Sequence, residues 1–186
     1  MSKINLVLAS SSPRRHELLR LIHPYFEIKH PCIKEKRRHN ESPDLYVKRL
    51  SKEKAYAIKL QSNDLILSAD TIVFFNQEIL EKPQDRSDAI KMLKKLSNTT
   101  HYVYTGFSFR NYNEIKSFHV VSEVAFRIIR DKEIDDYVNT DCPLDKAGSY
   151  AIQGEASKFV HSIKGSYTNI IGLPLCEVSE QLSRYQ

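Results

Sequence analysis

The stretch Ile4-Asn5-Leu6-Val7-Leu8-Ala9-Ser10-Ser11-Ser12-Pro13-Arg14-Arg15-His16-Glu17-Leu18-Leu19 decides how the chain begins to fold. Ile4 to Ala9 is a largely apolar run, read as a buried strand. Ser10-Ser11-Ser12-Pro13 then gives a helix start, with a hydroxyl at the cap and proline in the first turn. Leu18, Leu19, Leu21 and Ile22 are expected on the inward face of that helix.

Working outward, Tyr25 to His30 reads as a second strand. A polar, basic loop from Pro31 to Glu41 leads to Ser42-Pro43, another cap-plus-proline start. Leu45, Leu50, Ala55, Ala57, Ile58 and Leu60 supply an apolar stripe for a helix reaching about Leu60. Leu65 to Ala69 reads as a third buried strand that Thr71 to Phe75 continues, with Asn76-Gln77 as a hairpin tip before Glu78-Ile79-Leu80. A helix from about Ser87 to Leu96 is expected next, then strands near His101–Arg110 and Ile115–Ile128, joined at Asn111-Tyr112-Asn113. Asp131 is expected to cap a helix through about Val138, and a glycine-punctuated segment precedes a last helix from about Pro174. Crossovers mixed with hairpins predict an α/β fold with a mixed sheet, on a length that suits one domain over residues 1–186.

Composition narrows the function classes. The chain is 41% hydrophobic and 27% charged, which suits an ordinary globular protein with a real core. No apolar run approaches the roughly 18–20 residues needed to cross a bilayer, and the first residues are too short an apolar stretch for a signal peptide. A cytoplasmic protein with no membrane partner is therefore expected. Cys32, Cys142 and Cys176 are odd in number and widely spaced, so neither a disulfide framework nor a zinc site is expected. The net charge of +5, densest at Lys34-Glu35-Lys36-Arg37-Arg38-His39, suits nucleic acid or a small polyanion such as a triphosphate. The chain carries no recognisable nucleic-acid motif, and charge alone does not choose.

Four constellations could carry chemistry. Leu8 to Leu19 offers free N–H groups at a helix start, three hydroxyls, Arg14 and Arg15, a plausible phosphate cradle that lacks the glycines and lysine of a Walker A loop. Asp70, within Ser68-Ala69-Asp70-Thr71, sits in an apolar strand run where a carboxylate needs a metal, a cation or a proton-transfer role. Glu35, Lys54 and Lys82 lie in separate elements and match what phosphoanhydride cleavage requires, namely carboxylates for metal and base and cations for phosphate. The last constellation is Asp145-Lys146-Ala147-Gly148-Ser149-Tyr150-Ala151-Ile152-Gln153-Gly154, followed by the segments around Gly165 and Gly172. Its glycines permit tight turns and close approach to a ligand, and Gln153 could pair with a base edge.

Six stretches in this order resemble the Maf family of nucleotide pyrophosphatases: LASSSPRRHELL, LSKEKA (50–55), SADTIV (68–73), EKPQD (81–85), DKAGSYAIQG (145–154) and GSYTNIIGLPL (165–175). The resemblance implies an elongated, two-lobed mixed-sheet fold related to the inosine-triphosphate pyrophosphatases, with the active site in the cleft between lobes. It implies hydrolysis of a nucleoside triphosphate to monophosphate and diphosphate, assisted by Mg²⁺, Mn²⁺ or a similar divalent ion. Asp70 matches the proton acceptor and, with Glu35, a carboxylate of the metal site. Ser10, Arg14, Lys54 and Lys82 match phosphate-holding residues, with Arg15 beside them. Arg14, Thr71 and Gln153 match specificity positions and look like the dTTP/UTP branch; a 7-methyl-GTP or broad-specificity enzyme, and a non-catalytic regulator of septum formation, are the alternatives. A homodimer is implied by the resemblance only. The loop that holds Glu35 often has two adjacent acids in the family, and Lys34 stands at the first of them here.

Overall fold

The computed structural model describes residues 4–140 and 143–185. The expectations for Met1–Lys3 and for the Cys142 thiol therefore fall outside the described residues. The elements run β1 (Asn5–Ala9), α1 (Pro13–Ile22), β2 (Glu27–Lys29), α2 (Pro43–Tyr56), β3 (Asp64–Phe75), β4 (Glu78–Leu80), α3 (Arg86–Leu96), β5 (Thr100–Arg110), β6 (Ile115–Phe126), α4 (Asp131–Val138), β7 (Val160–Lys164), α5 (Tyr167–Ile171) and α6 (Leu175–Leu182). Strand order is β2-β1-β3-β5-β6-β7, with β4 paired to β3. β1 pairs parallel with β2 and β3, whereas β3–β4 and β6–β7 are antiparallel. The fold is α/β with a mixed sheet, as the sequence predicts.

The chain forms two compact units. One takes the chain up to Asp70, Thr105–Val120 and everything from Gly172 on; the other takes Thr71–Tyr104 and Val121–Ile171. In the first unit, β1 and the opening of β3 are almost fully buried, and Val7, Ala9 and Ile66 pack with Ala55 and Ile58 in one apolar cluster. Helix α2 lies against β5 at Gly106, where a Cβ would stand 2.4 Å from the backbone carbon and oxygen of Val47. Only glycine permits that approach.

In the second unit, Asn76 and Gln77 both take positive φ, 47° and 65°, the left-handed pair that a two-residue hairpin between β3 and β4 requires. Asp85 caps α3 by accepting the Asp88 N–H at 2.8 Å. His101, Phe126 and Tyr150 meet one another edge-on in the interior, and Phe159 joins them edge-on through Phe126.

Several expectations are corrected. Leu21 is 75% exposed and Leu45 54%, because the buried faces are set by Leu18 and Leu19 on α1 and by Tyr46, Val47, Leu50, Ser51, Lys54 and Ala55 on α2. Helix α2 stops at Tyr56 with Ala57 exposed, and the second strand is limited to Glu27–Lys29. Arg130, not Asp131, occupies the N-cap of α4; the Glu133 carboxylate bonds the Arg130 N–H at 3.2 Å and does the capping work from inside the first turn. β7 and α5 are unanticipated: β7 is mostly exposed and carries no apolar alternation to read.

Candidate active site

The site is built from the end of β1, the middle of β3, the last turn of α2 and the loop before it. Ser10, 3% exposed, follows β1 and is fixed from three sides. Its N–H donates to Lys29 O at 3.1 Å, its Oγ accepts the Ser12 N–H at 3.1 Å, and its carbonyl meets His16 Nε2 at 2.9 Å. A carbonyl only accepts, so His16 must donate from Nε2. Ser12 caps α1 by accepting the Arg15 N–H, and Pro13 takes the first helical position. Arg14 and Arg15 are both half-buried, and Arg15 donates from Nε to Gly172 O at 2.7 Å. Burial lowers the Arg15 pKa, while the charges of Asp70 and Glu35 act against that. The helix start expected as a phosphate cradle is capped by Ser12 and carries an anchored Arg15 guanidinium in electrostatic reach of two carboxylates.

Asp70 is 4% exposed on β3, and Lys54, 8% exposed, faces it from α2. Lys54 Nζ stands 2.5 Å from Asp70 Oδ1 and 2.8 Å from Glu35 Oε1, so one ammonium sits between two carboxylates. Burial raises the Asp70 pKa, and Glu35 adds to the rise; Lys54 and Arg15 oppose it.

The register of this pair is fixed by serines. Ser68 Oγ donates to Ser51 O at 2.6 Å, and Ser51 Oγ meets Ser108 Oγ at 2.7 Å. Ser108 Oγ in turn meets Ser117 Oγ at 2.6 Å. Ser51 lies one turn before Lys54 on α2, and Ser68 lies two residues before Asp70 on the same strand face. Fastening one pair sets the other. Sequence reading missed these serines, although Ser51 sits at helical spacing within a buried stripe, which is the signal for an interior hydroxyl.

The structure therefore brings Glu35, Lys54, Asp70 and Arg15 into one electrostatic cluster, with Ser10 and Arg14 beside Arg15 along the chain. The remaining expected residues belong to the second unit. Thr71 is half-buried on β3, Lys82 is exposed between β4 and α3, and Gln153 is exposed just before Gly154. The loop holding Lys82 is tethered by Gly148, whose N–H donates to Glu81 O at 3.1 Å. Gly148 has φ of 66°, and a Cβ there would meet Val73 at 2.9 Å, so this tether needs glycine.

Among the described residues no group of three or more His, Cys, Asp or Glu side chains could hold a metal. Glu35 and Asp70 converge on one cation position, now taken by Lys54. Two carboxylates fit an ion such as Mg²⁺ that shares its coordination with phosphate oxygens and water, not one held in an all-protein cage.

A mixed α/β fold with a buried carboxylate–lysine pair and a capped helix start beside it defines the class, and the comparisons agree on the fold. A Ham1 protein of Staphylococcus aureus superposes with a TM-score of 0.54, covering 98% of this chain and 100% of that one at 13% identity. The family model described as Maf-like protein matches residues 5–185, and the chain belongs to that family. Among its relatives are proteins named dTTP/UTP pyrophosphatase from Geobacter sulfurreducens, 46% identical over 99% of this chain and 98% of that protein, and from Escherichia coli strain K12, 47% identical over 97% and 93%.

Proposed function

We propose that this chain hydrolyses dTTP and UTP to the nucleoside monophosphate and diphosphate, with Asp70 as the general base. The relatives named for that reaction cover nearly the whole chain at 43–47% identity and support the substrate. The observation that carries the chemistry is Asp70, almost wholly buried, ion-paired through one oxygen to Lys54 with Glu35 on the same ammonium. A carboxylate so placed has a raised pKa, which makes it a stronger proton acceptor than a solvated aspartate.

In the step proposed, a water oxygen bonds to phosphorus of the α–β anhydride, and that P–O–P link breaks. The water proton passes to the Asp70 carboxylate, and diphosphate departs as an anion. Arg14, Arg15, Lys54 and Lys82 carry the positive charge that offsets developing negative charge on the phosphate oxygens, and Ser10 offers a hydroxyl there. Glu35 and Asp70 would hold a divalent ion, Mg²⁺ or Mn²⁺, which supplies charge neutralisation on those oxygens when bound. Thr71, Gln153 and Arg14 take the specificity role, with the Gln153 amide offering a donor and an acceptor to a pyrimidine imide edge. Diphosphate release from dTTP, UTP, CTP, GTP and 7-methyl-GTP with Mg²⁺ or Mn²⁺ tests this reading. Turnover concentrated on dTTP and UTP is expected; preference for 7-methyl-GTP, or no release from any of the five, would overturn it.

A further inference from the structure

The loop spanning residues 31–42 carries Glu35 but contains neither helix nor strand. Its grip on the rest of the first unit centres on Arg49, on α2, with an Arg38–Glu53 ion pair at 3.5 Å and the Glu35–Lys54 pair beside it. Arg49 Nε and Nη2 take both oxygens of Glu41, at 2.6 and 2.8 Å, and Nη1 donates to Glu53 Oε1 at 2.8 Å. Nη2 also donates to the backbone carbonyl of Lys36 at 2.9 Å, one residue from Glu35. Glu41 spreads the grip further: its Oε2 accepts the Arg38 N–H at 3.1 Å, and its carbonyl accepts from the Arg37 guanidinium at 2.9 and 3.2 Å. The side chains of Arg49 and Glu41 are 15% and 9% exposed, so this fork is largely shielded from water. Its bonds hold the Glu41 carboxyl below the usual range.

By contrast, the Glu35 side chain is 44% exposed, and its ion pair to the buried Lys54 does not by itself offset the entropy of ordering a loop of this length. We propose that Arg49 is a positioning residue: with Glu41 it closes the 31–42 loop so that Glu35 is presented to Lys54 and Asp70. The inference rests on the reading of Glu35 as a carboxylate of the phosphate and metal site. Arg49 itself touches no reacting atom. Its planar guanidinium serves four acceptors, and a lysine at 49 keeps the charge while losing that fork.

The test uses Arg49→Lys, Glu41→Gln and Glu35→Gln in the full chain, with two readouts. Hydrogen exchange without metal follows the amides of residues 34–41, and dTTP hydrolysis is titrated with Mn²⁺. Arg49→Lys and Glu41→Gln are expected to speed exchange in the loop while leaving β1 and β3 protected. They are expected to raise the Mn²⁺ midpoint about ten-fold or more, with kcat at saturating Mn²⁺ within about two-fold of wild type. Unchanged loop exchange, or faster exchange with an unmoved midpoint, would overturn the inference while Glu35→Gln still shifts it. An unmoved midpoint and full turnover in Glu35→Gln would overturn the site reading beneath it.

Discussion

His101 is the residue whose chemistry is most sharply defined by its surroundings. It is fully buried on β5, its Nε2 lies 2.7 Å from the Tyr150 hydroxyl, and its Nδ1 has no hydrogen-bond partner among the described residues. Burial lowers its pKa from 6.5 to about 4 and pushes the Tyr150 hydroxyl well above its ordinary value, so both groups are neutral in the fold. Between those two values the unfolded chain binds the proton and the folded chain does not, so stability falls as pH drops from about 6.5 to about 4. Up to about 3 kcal/mol should be lost across that window. Urea unfolding at several pH values checks this, and His101→Gln should flatten the slope. Glu133, held near 2 by Arg127, loses its contribution mainly below that window, while the raised Asp70 pKa works in the opposite sense, so the His101 share is read from the difference between wild type and His101→Gln. At this scale Asp70 was legible because a carboxylate inside an apolar strand is chemically conspicuous. Arg49 was not, since an arginine among lysines and glutamates on a helix reads as solvated surface until its acceptors are known.

The site depends on how closely α2 approaches the sheet. Gly106 allows the Val47 carbonyl to lie where a Cβ would otherwise be, and Lys54 is carried by the same helix. Gly106→Ala should push α2 outward and destabilise the protein by about 1–3 kcal/mol, the usual range for overpacking. Urea denaturation would measure that loss, and a drop in kcat should accompany it as Lys54 withdraws from Asp70. Most elements were legible from period and caps: Ser12-Pro13, Ser42-Pro43 and Asn76-Gln77 mark real boundaries. Leu21 and Leu45 misled because apolar spacing names two neighbouring faces of a helix, and only packing decides which is covered. The serine ties between α2, β3, β5 and β6 were also hidden, since helical spacing marks Ser51 as interior without naming the hydroxyl or carbonyl it meets.

The whole chain carries a formal charge of +5, a field that favours capture of a nucleoside triphosphate. Two lobes were expected from the resemblance, but which segments make up each of the two units was not legible, because periodicity reports which face is buried and not which segments associate. The mixed α/β class and the family resemblance were legible, since six motifs keep their order over almost the entire length. Whether Asp70 accepts a proton in the hydrolysis of dTTP is decided by diphosphate release against pH for wild type and Asp70→Asn at saturating Mn²⁺. The wild-type profile should show an acid limb, since the base is lost as pH falls through the Asp70 pKa, and that limb should be absent from the variant. Asp70→Asn should fold and release diphosphate at least about 10²-fold more slowly at every pH. A folded Asp70→Asn that matches wild type in rate and pH profile would contradict a proton-accepting role for Asp70.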